Sequence, residues 1–142
     1  MTRWLVLACA GALLSCGAAQ TPRTRLQDDL RAFEKKIRWH KWRAAANQVD
    51  MELRGPWLAK HQKGGRGLKL TDARIERVEA GPAPLEVAVV YFGVAWYRLP
   101  NMTVRERTWR QRWVHGPRGW ALTEEVALDE RGEPLPNYTA WP

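Results

Sequence analysis

The stretch Leu85–Leu99, LEVAVVYFGVAWYRL, constrains the fold of this chain most. It is rich in β-branched and aromatic residues, which suit a pleated surface better than a helix. Val87, Val89, Tyr91, Gly93, Ala95 and Tyr97 alternate with Ala88, Val90, Phe92, Val94 and Trp96. Apolar residues on both faces predict a central strand covered on both sides for part of its length. Gly93 in mid-strand predicts a bend or a close backbone approach. After a turn at Pro100-Asn101, Met102–His115 reads as the returning arm, with Arg105, Arg107, Trp109, Gln111 and Trp113 on one face. The turn Gly116-Pro117-Arg118-Gly119 leads into a third arm, GWALTEEV. A further strand precedes the long one at Leu68–Ala80, and its alternation slips between Ile75 and Val78, which predicts a bulge.

Upstream, Thr24-Arg25-Leu26-Gln27 fits a capping box, with Thr24 as the cap. Leu26, Leu30, Phe33, Ile37 and Ala44 then fall on one helical face, predicting a helix to about Ala46. Trp39 and Trp42 lie three apart on that helix, with His40 beside them. Its outer side is basic through Lys35, Arg38, Lys41 and Arg43, which reads as a solvated face or as a contact for anionic lipid head groups. Asp50 can cap a short helix over Met51–Leu53, and Gly55-Pro56 restarts the chain at Trp57–Gln62. Gly64-Gly65-Arg66-Gly67 lacks the Lys-Ser/Thr ending of a phosphate-binding loop and follows no strand, so it reads as a connection. Residues 129–142 hold three Pro and no periodicity, which predicts an extended, loosely packed tail in which Trp141 can be pinned down.

Met1–Gln20, MTRWLVLACAGALLSCGAAQ, reads as an address. Arg3 precedes an apolar run from Trp4 to Leu14, the length of a signal h-region and too short to span a membrane. Leu13-Leu14-Ser15-Cys16 resembles the lipobox of bacterial lipoproteins, although Leu14 stands where the pattern has a smaller residue. The resemblance implies a signal peptide over residues 1–15, lipidation of Cys16, and a tether over residues 16–23. Acyl chains contribute about 0.8 kcal/mol per buried CH₂, so several on one residue hold the chain to the bilayer. Gly17, rather than Asp, after the Cys implies the periplasmic face of the outer membrane. The other reading is cleavage after Gly17-Ala18-Ala19, releasing a soluble periplasmic or secreted protein. Cys9 and Cys16 are the only cysteines, so a domain beyond Cys16 has neither a disulfide nor a thiol nucleophile.

The chain has 142 residues with 23 Lys+Arg against 15 Asp+Glu, and loss of Arg3 with the signal peptide takes the formal +8 to +7. The basic residues are spread along the chain without a nucleic-acid motif, so no nucleic-acid partner is expected. His40, His61 and His115 are isolated, with no partners at metal spacing, so neither metal nor other cofactor is expected. Nine Trp suit a core whose edges meet water, or a binding surface.

A long helix, a short helix and a meander of about four strands is an α+β order. It resembles the NTF2-like superfamily, the cystatin-like, cone-shaped α+β fold of SnoaL-type domains. The residues that carry the resemblance are Trp42 and Ala45 leading into Val49-Asp50, Asp72–Ile75, Ala88–Tyr91, Gln111-Arg112-Trp113 and Gly119–Leu122. It implies a domain over residues 24–128, with a curved antiparallel sheet wrapped on the helix around a conical cavity. Trp39, His40, Trp42, Tyr91, Trp96, Trp109 and Trp113 would be candidates to line that cavity. The expected function is a non-catalytic envelope lipoprotein that binds a partner protein or a small apolar ligand, with no catalytic residue assigned. The alternative is an isomerase- or dehydratase-like enzyme using His40, Tyr91, Tyr97 or Asp72 in the cone.

Overall fold

The computed structural model describes residues 20–65, 67–135 and 141. Residues 1–15, expected to be a signal peptide, and Cys16 lie outside them. The fold is α+β: three helices pack on one face of an open four-stranded antiparallel sheet. The helices are α1 (Pro22–Arg38), α2 (Trp42–Ala46) and α3 (Met51–Gly64). The strands are β1 (Leu68–Ala80), β2 (Val87–Arg98), β3 (Arg105–Gly116) and β4 (Gly119–Ala127), in spatial order β1-β2-β3-β4.

α1 starts earlier than the capping box predicts. Thr21, not Thr24, is the cap, and its hydroxyl accepts from the Thr24 amide at 3.2 Å. Pro22 fits the first helical position, where its missing N–H would have no helical partner anyway. Leu26, Leu30, Phe33 and Ile37 are buried as their spacing predicts. The helix does not run on to Ala46. The Lys41 amide donates to Lys36 O at 2.8 Å and the His40 amide to Ile37 O at 2.9 Å, the bonding of a Schellman C-cap. His40 sits at φ 53°, in the left-handed position that glycine usually occupies. The break re-aims the chain, so that Trp42 turns inward and Trp39 stays outside.

α3 also departs from expectation: Gly55-Pro56 does not interrupt it. The Asp50 carboxylate caps it by accepting from the Glu52 amide at 3.1 Å. Pro56 gives up one helical bond, but a continuous helix aligns Trp57 and His61 on the buried face.

β2 keeps its central place, between β1 and β3. Its inner residues Ala88, Val90, Phe92, Val94 and Trp96 are buried under the helices. On the outer face Val87, Val89, Tyr91 and Tyr97 are half-buried but Gly93 and Ala95 are buried, so the strand is covered on both sides for part of its length as expected, though by no second layer among the described elements. Long polar side chains partly replace it. The Arg77 guanidinium lies 3.9 Å over the Tyr91 ring, and Glu76 crosses Gly93, where a Cβ would strike its carboxylate. The register of β1 on β2 shifts between Ile75 and Arg77, where the slipped alternation predicts a bulge, and again between Leu70 and Asp72.

The edge strand β4 is partly closed by the linker between α2 and α3. The Asp50 amide donates to Leu122 O at 2.8 Å, and the Leu122 amide to Gln48 O at 2.8 Å. The described part of the tail is docked, not loose. Leu128 bridges to Pro134, and Trp141 is 1 % exposed, inside the core.

Candidate functional site

The space between helices and sheet, where a cone would hold a ligand, is occupied by the chain's own rings. The His61 ring stacks on Trp57 with centroids 3.7 Å apart and has Trp141 on its other side at 4.2 Å. Trp109 lies 4.7 Å from Trp141, and Trp96 lies 6.2 Å from Trp109. Phe33 meets Trp113 edge-on at 5.1 Å. Trp109, Trp113 and Trp141 are each at most 1 % exposed. Each buries a large apolar surface, and their offset and edge-on contacts suit the ring quadrupole.

A polar thread runs through this packing. Trp113 Nε1 donates to Gln111 Oε1 at 3.1 Å, and Gln111 Nε2 donates to Glu125 Oε2 at 2.9 Å. Glu125 Oε1 lies 3.5 Å from both Lys60 Nζ and His61 Nε2. His61 Nδ1 is 2.7 Å from Trp57 O, so this nitrogen carries the proton and donates. Burial holds the His61 pKa down at about 4, against the opposing pull of Glu125. The imidazole is therefore neutral at pH 7. Trp57, Trp109 and Trp141 Nε1 are buried without a hydrogen-bond partner, as are His61 Nε2 and Glu125 Oε1. Such a His–Glu pair could move a proton, but His61 is fully buried between Trp57 and Trp141, out of a substrate's reach.

The seven candidate lining residues separate into two groups. Trp42, Trp96, Trp109 and Trp113 are buried in the core. Trp39, His40 and Tyr91 are not in it. Trp39 is 66 % exposed, His40 is exposed at the helix break, and Tyr91 is on the outer sheet face under Arg77. Partial burial and then the charge of Lys69 lower the His40 pKa. Asp72 lies at the surface, with Arg74 Nη1 at 2.8 Å and Arg38 Nη2 at 3.5 Å, and the Arg74 bond lowers its pKa. Tyr97 is half-buried on the outer face. Among the described residues, His40, Asp72, Tyr91 and Tyr97 are thus not gathered into one cavity.

Sequence reasoning missed His61, Glu125, Trp57 and Trp141 as one cluster. Leu53, Trp57 and His61 recur every four residues, a signal hidden by reading Gly55-Pro56 as a break. It also missed the tip of the β2–β3 hairpin. Leu99, Met102 and Val104 are 57, 66 and 54 % exposed there. Asn101 Oδ1 accepts from the Thr103 amide at 3.0 Å and from its hydroxyl at 2.7 Å, which ties the tip into a compact turn.

No family model and no curated protein sequence matches the chain. Among the solved structures similar in fold are the following two. One is the intermembrane space region of the chloroplast protein ARC6, at 18 % identity and TM-score 0.51, covering 79 % of this chain and 99 % of that one. The other is a SEC-C motif containing protein from Rhodopseudomonas palustris, at 14 % identity and TM-score 0.54, covering 77 % of this chain and 80 % of that one. Among the described residues no helix is long and apolar enough to cross a membrane, and no group of three or more His, Cys, Asp or Glu is placed to hold a metal ion.

Proposed function

We propose that this chain is a cell-envelope lipoprotein, anchored through Cys16, whose NTF2-like domain binds with its surface and performs no catalysis. The observation that carries the surface reading is the filled interior: Trp109, Trp113 and Trp141 take the volume a ligand would need. An apolar ligand inside the cone is thereby disfavoured against a partner on the outside. The same filling, with His40, Asp72 and Tyr91 dispersed, disfavours an isomerase or dehydratase. The anchor rests on Leu13-Leu14-Ser15-Cys16. An envelope address agrees with the intermembrane space location of the similar ARC6 region.

Mass spectrometry of the protein purified from a bacterial host tests the anchor. The expected species begins at Cys16 and carries diacylglycerol and an N-acyl chain. A species beginning at Gln20 without lipid would replace the anchored reading with the soluble periplasmic one.

A further inference from the structure

The two ends of the domain differ in a way that bears on what it binds. At one end the chain enters α1: Pro22 O accepts from Trp120 Nε1 at 2.9 Å, next to the β3–β4 turn. The β1–β2 turn lies at this end too, since the His115 amide donates to Glu86 O at 2.8 Å. α1 has 17 residues. At 1.5 Å per residue it carries the chain about 25 Å to the other end. Arg38 Nη2 donates to Ala73 O at 2.6 Å, partway along β1, and beyond the helix break the chain approaches the Leu68 end, where His40 lies within the field of Lys69 and Trp42 meets Gly65. Lys69 and Leu68 pair with Tyr97 and Arg98, and the hairpin tip Leu99–Val104 projects beyond them. Arg98 Nη2 donates to Gly64 O at 2.6 Å, which brings the end of α3 and Lys63 to the same place.

This far end is layered. Leu99, Met102 and Val104 lie outermost, beyond the last strand pairs, and Trp39 is exposed at the end of α1. Behind the tip lies a set of exposed cations, Lys41, Lys63, Lys69 and Arg105, none of them ion-paired among the described residues. An acidic protein surface would match the cations but not the apolar tip ahead of them. A bilayer with anionic lipid matches both, because its phosphates lie above its acyl chains. Trp39 has the amphipathic ring that settles at that boundary. Loop stiffness from Asn101 keeps the apolar side chains presented in advance.

We propose that the end formed by Trp39, Leu99, Met102, Val104 and their basic surround docks onto an anionic phospholipid surface. It points away from the end where the N-terminal tether enters. Resting on the anchored reading above, the domain then engages a second bilayer, not the one that holds its lipid.

The test uses the processed protein reconstituted through its own N-terminus into phosphatidylcholine vesicles. A second, fluorescent vesicle population is added, either phosphatidylcholine alone or phosphatidylcholine with about 30 % phosphatidylglycerol, and co-flotation is measured. The wild type is expected to capture the anionic vesicles at least about tenfold more than the neutral ones, and the Leu99→Ser/Met102→Ser/Val104→Ser variant to lose that capture. The Lys63→Gln/Lys69→Gln variant should lose the preference for phosphatidylglycerol while keeping its circular dichroism spectrum. Reconstituted wild type that captures neither population overturns the docking proposal and leaves the anchor standing. Capture unchanged in the tip variant also overturns it. Concentration-dependent self-association, lost in that variant and without vesicle capture, would assign the end to a second copy of this chain instead. If the protein does not enter the first vesicles, the anchor has failed, and sedimentation of the soluble protein with the phosphatidylglycerol vesicles still decides the docking proposal.

Discussion

Trp42 and Trp39 are three residues apart and have opposite fates. Trp42 is 9 % exposed, edge-on to Trp141 and beside His61, whereas Trp39 stands in solvent 66 % exposed. One belongs to the aromatic interior and the other to the far end with its apolar hairpin tip. The interior indoles are buried against one another and gain dispersion contacts on every side, so those residues set stability. The far end keeps its apolar groups in water, so its residues should be nearly neutral for stability and matter for contact. A reversal on the helical path, His40 at φ 53°, separates the two regimes.

The largest expected effect breaks the interior. Trp109→Ala removes a fully buried indole that contacts Trp96 and Trp141, and should cost about 3–5 kcal/mol in urea unfolding. A loss below about 1 kcal/mol would mean that the ring column is not packed as described.

His61 comes next. Its pKa is about 4 in the fold, below the ordinary value of 6.5 that it regains on unfolding. The unfolded chain therefore binds the additional proton first as pH falls, and the fold loses stability in that range. This contribution is complete above pH 6.5, declines between 6.5 and about 4, and falls no further below, for a total of about 3 kcal/mol. Urea midpoints at stepped pH should show the decline, and His61→Leu should remove that component of it. An unchanged slope in the variant would place the titration on other groups.

Gly64→Ala sharpens the same region at lower cost. An added Cβ would come 2.7 Å from Trp141 O and 3.0 Å from Trp141 Cβ, so the tail must shift. The expected loss is about 1–3 kcal/mol, with a red-shifted tryptophan emission as rings leave the core. A fully cooperative transition at the wild-type midpoint would show that Trp141 does not dock on α3.

The smallest effect belongs to the other side of the comparison. Trp39→Ser should change thermal stability by less than about 0.5 kcal/mol, because little of the ring is buried. It should, however, lower vesicle capture in the flotation assay. A loss of more than about 1 kcal/mol would move Trp39 into the packed region and erase the contrast with Trp42.

Much of the sheet was legible in the chain because strand periodicity is local. The phase of β3 already placed Trp109, Gln111 and Trp113 on one face, and those residues are buried together. The slip at Ile75 and the special place of Gly93 were readable for the same reason. Helix boundaries were less legible. Thr24 and Thr21 both have the side chain of a cap, and Pro22 decides between them only once its fit at the first helical position is weighed. The stop at Trp39 has no Gly or Pro to announce it. The candidate site was least legible. His61, Glu125, Gln111 and Trp141 come from α3, β4, β3 and the tail, and none of their separations in the chain carries a motif.

By itself, the sequence determined that helices precede a meander of strands, which residues share a face in β2 and β3, and the residues that make Met1–Gln20 read as an export address. Those properties follow from side-chain pattern over a few residues. Tertiary structure alone decided that rings fill the space between helices and sheet, that Trp141 packs among them, and that Trp39 stays exposed while Trp42 is buried. Each of these depends on segments far apart in the chain meeting at van der Waals distance, and local periodicity carries no information about that.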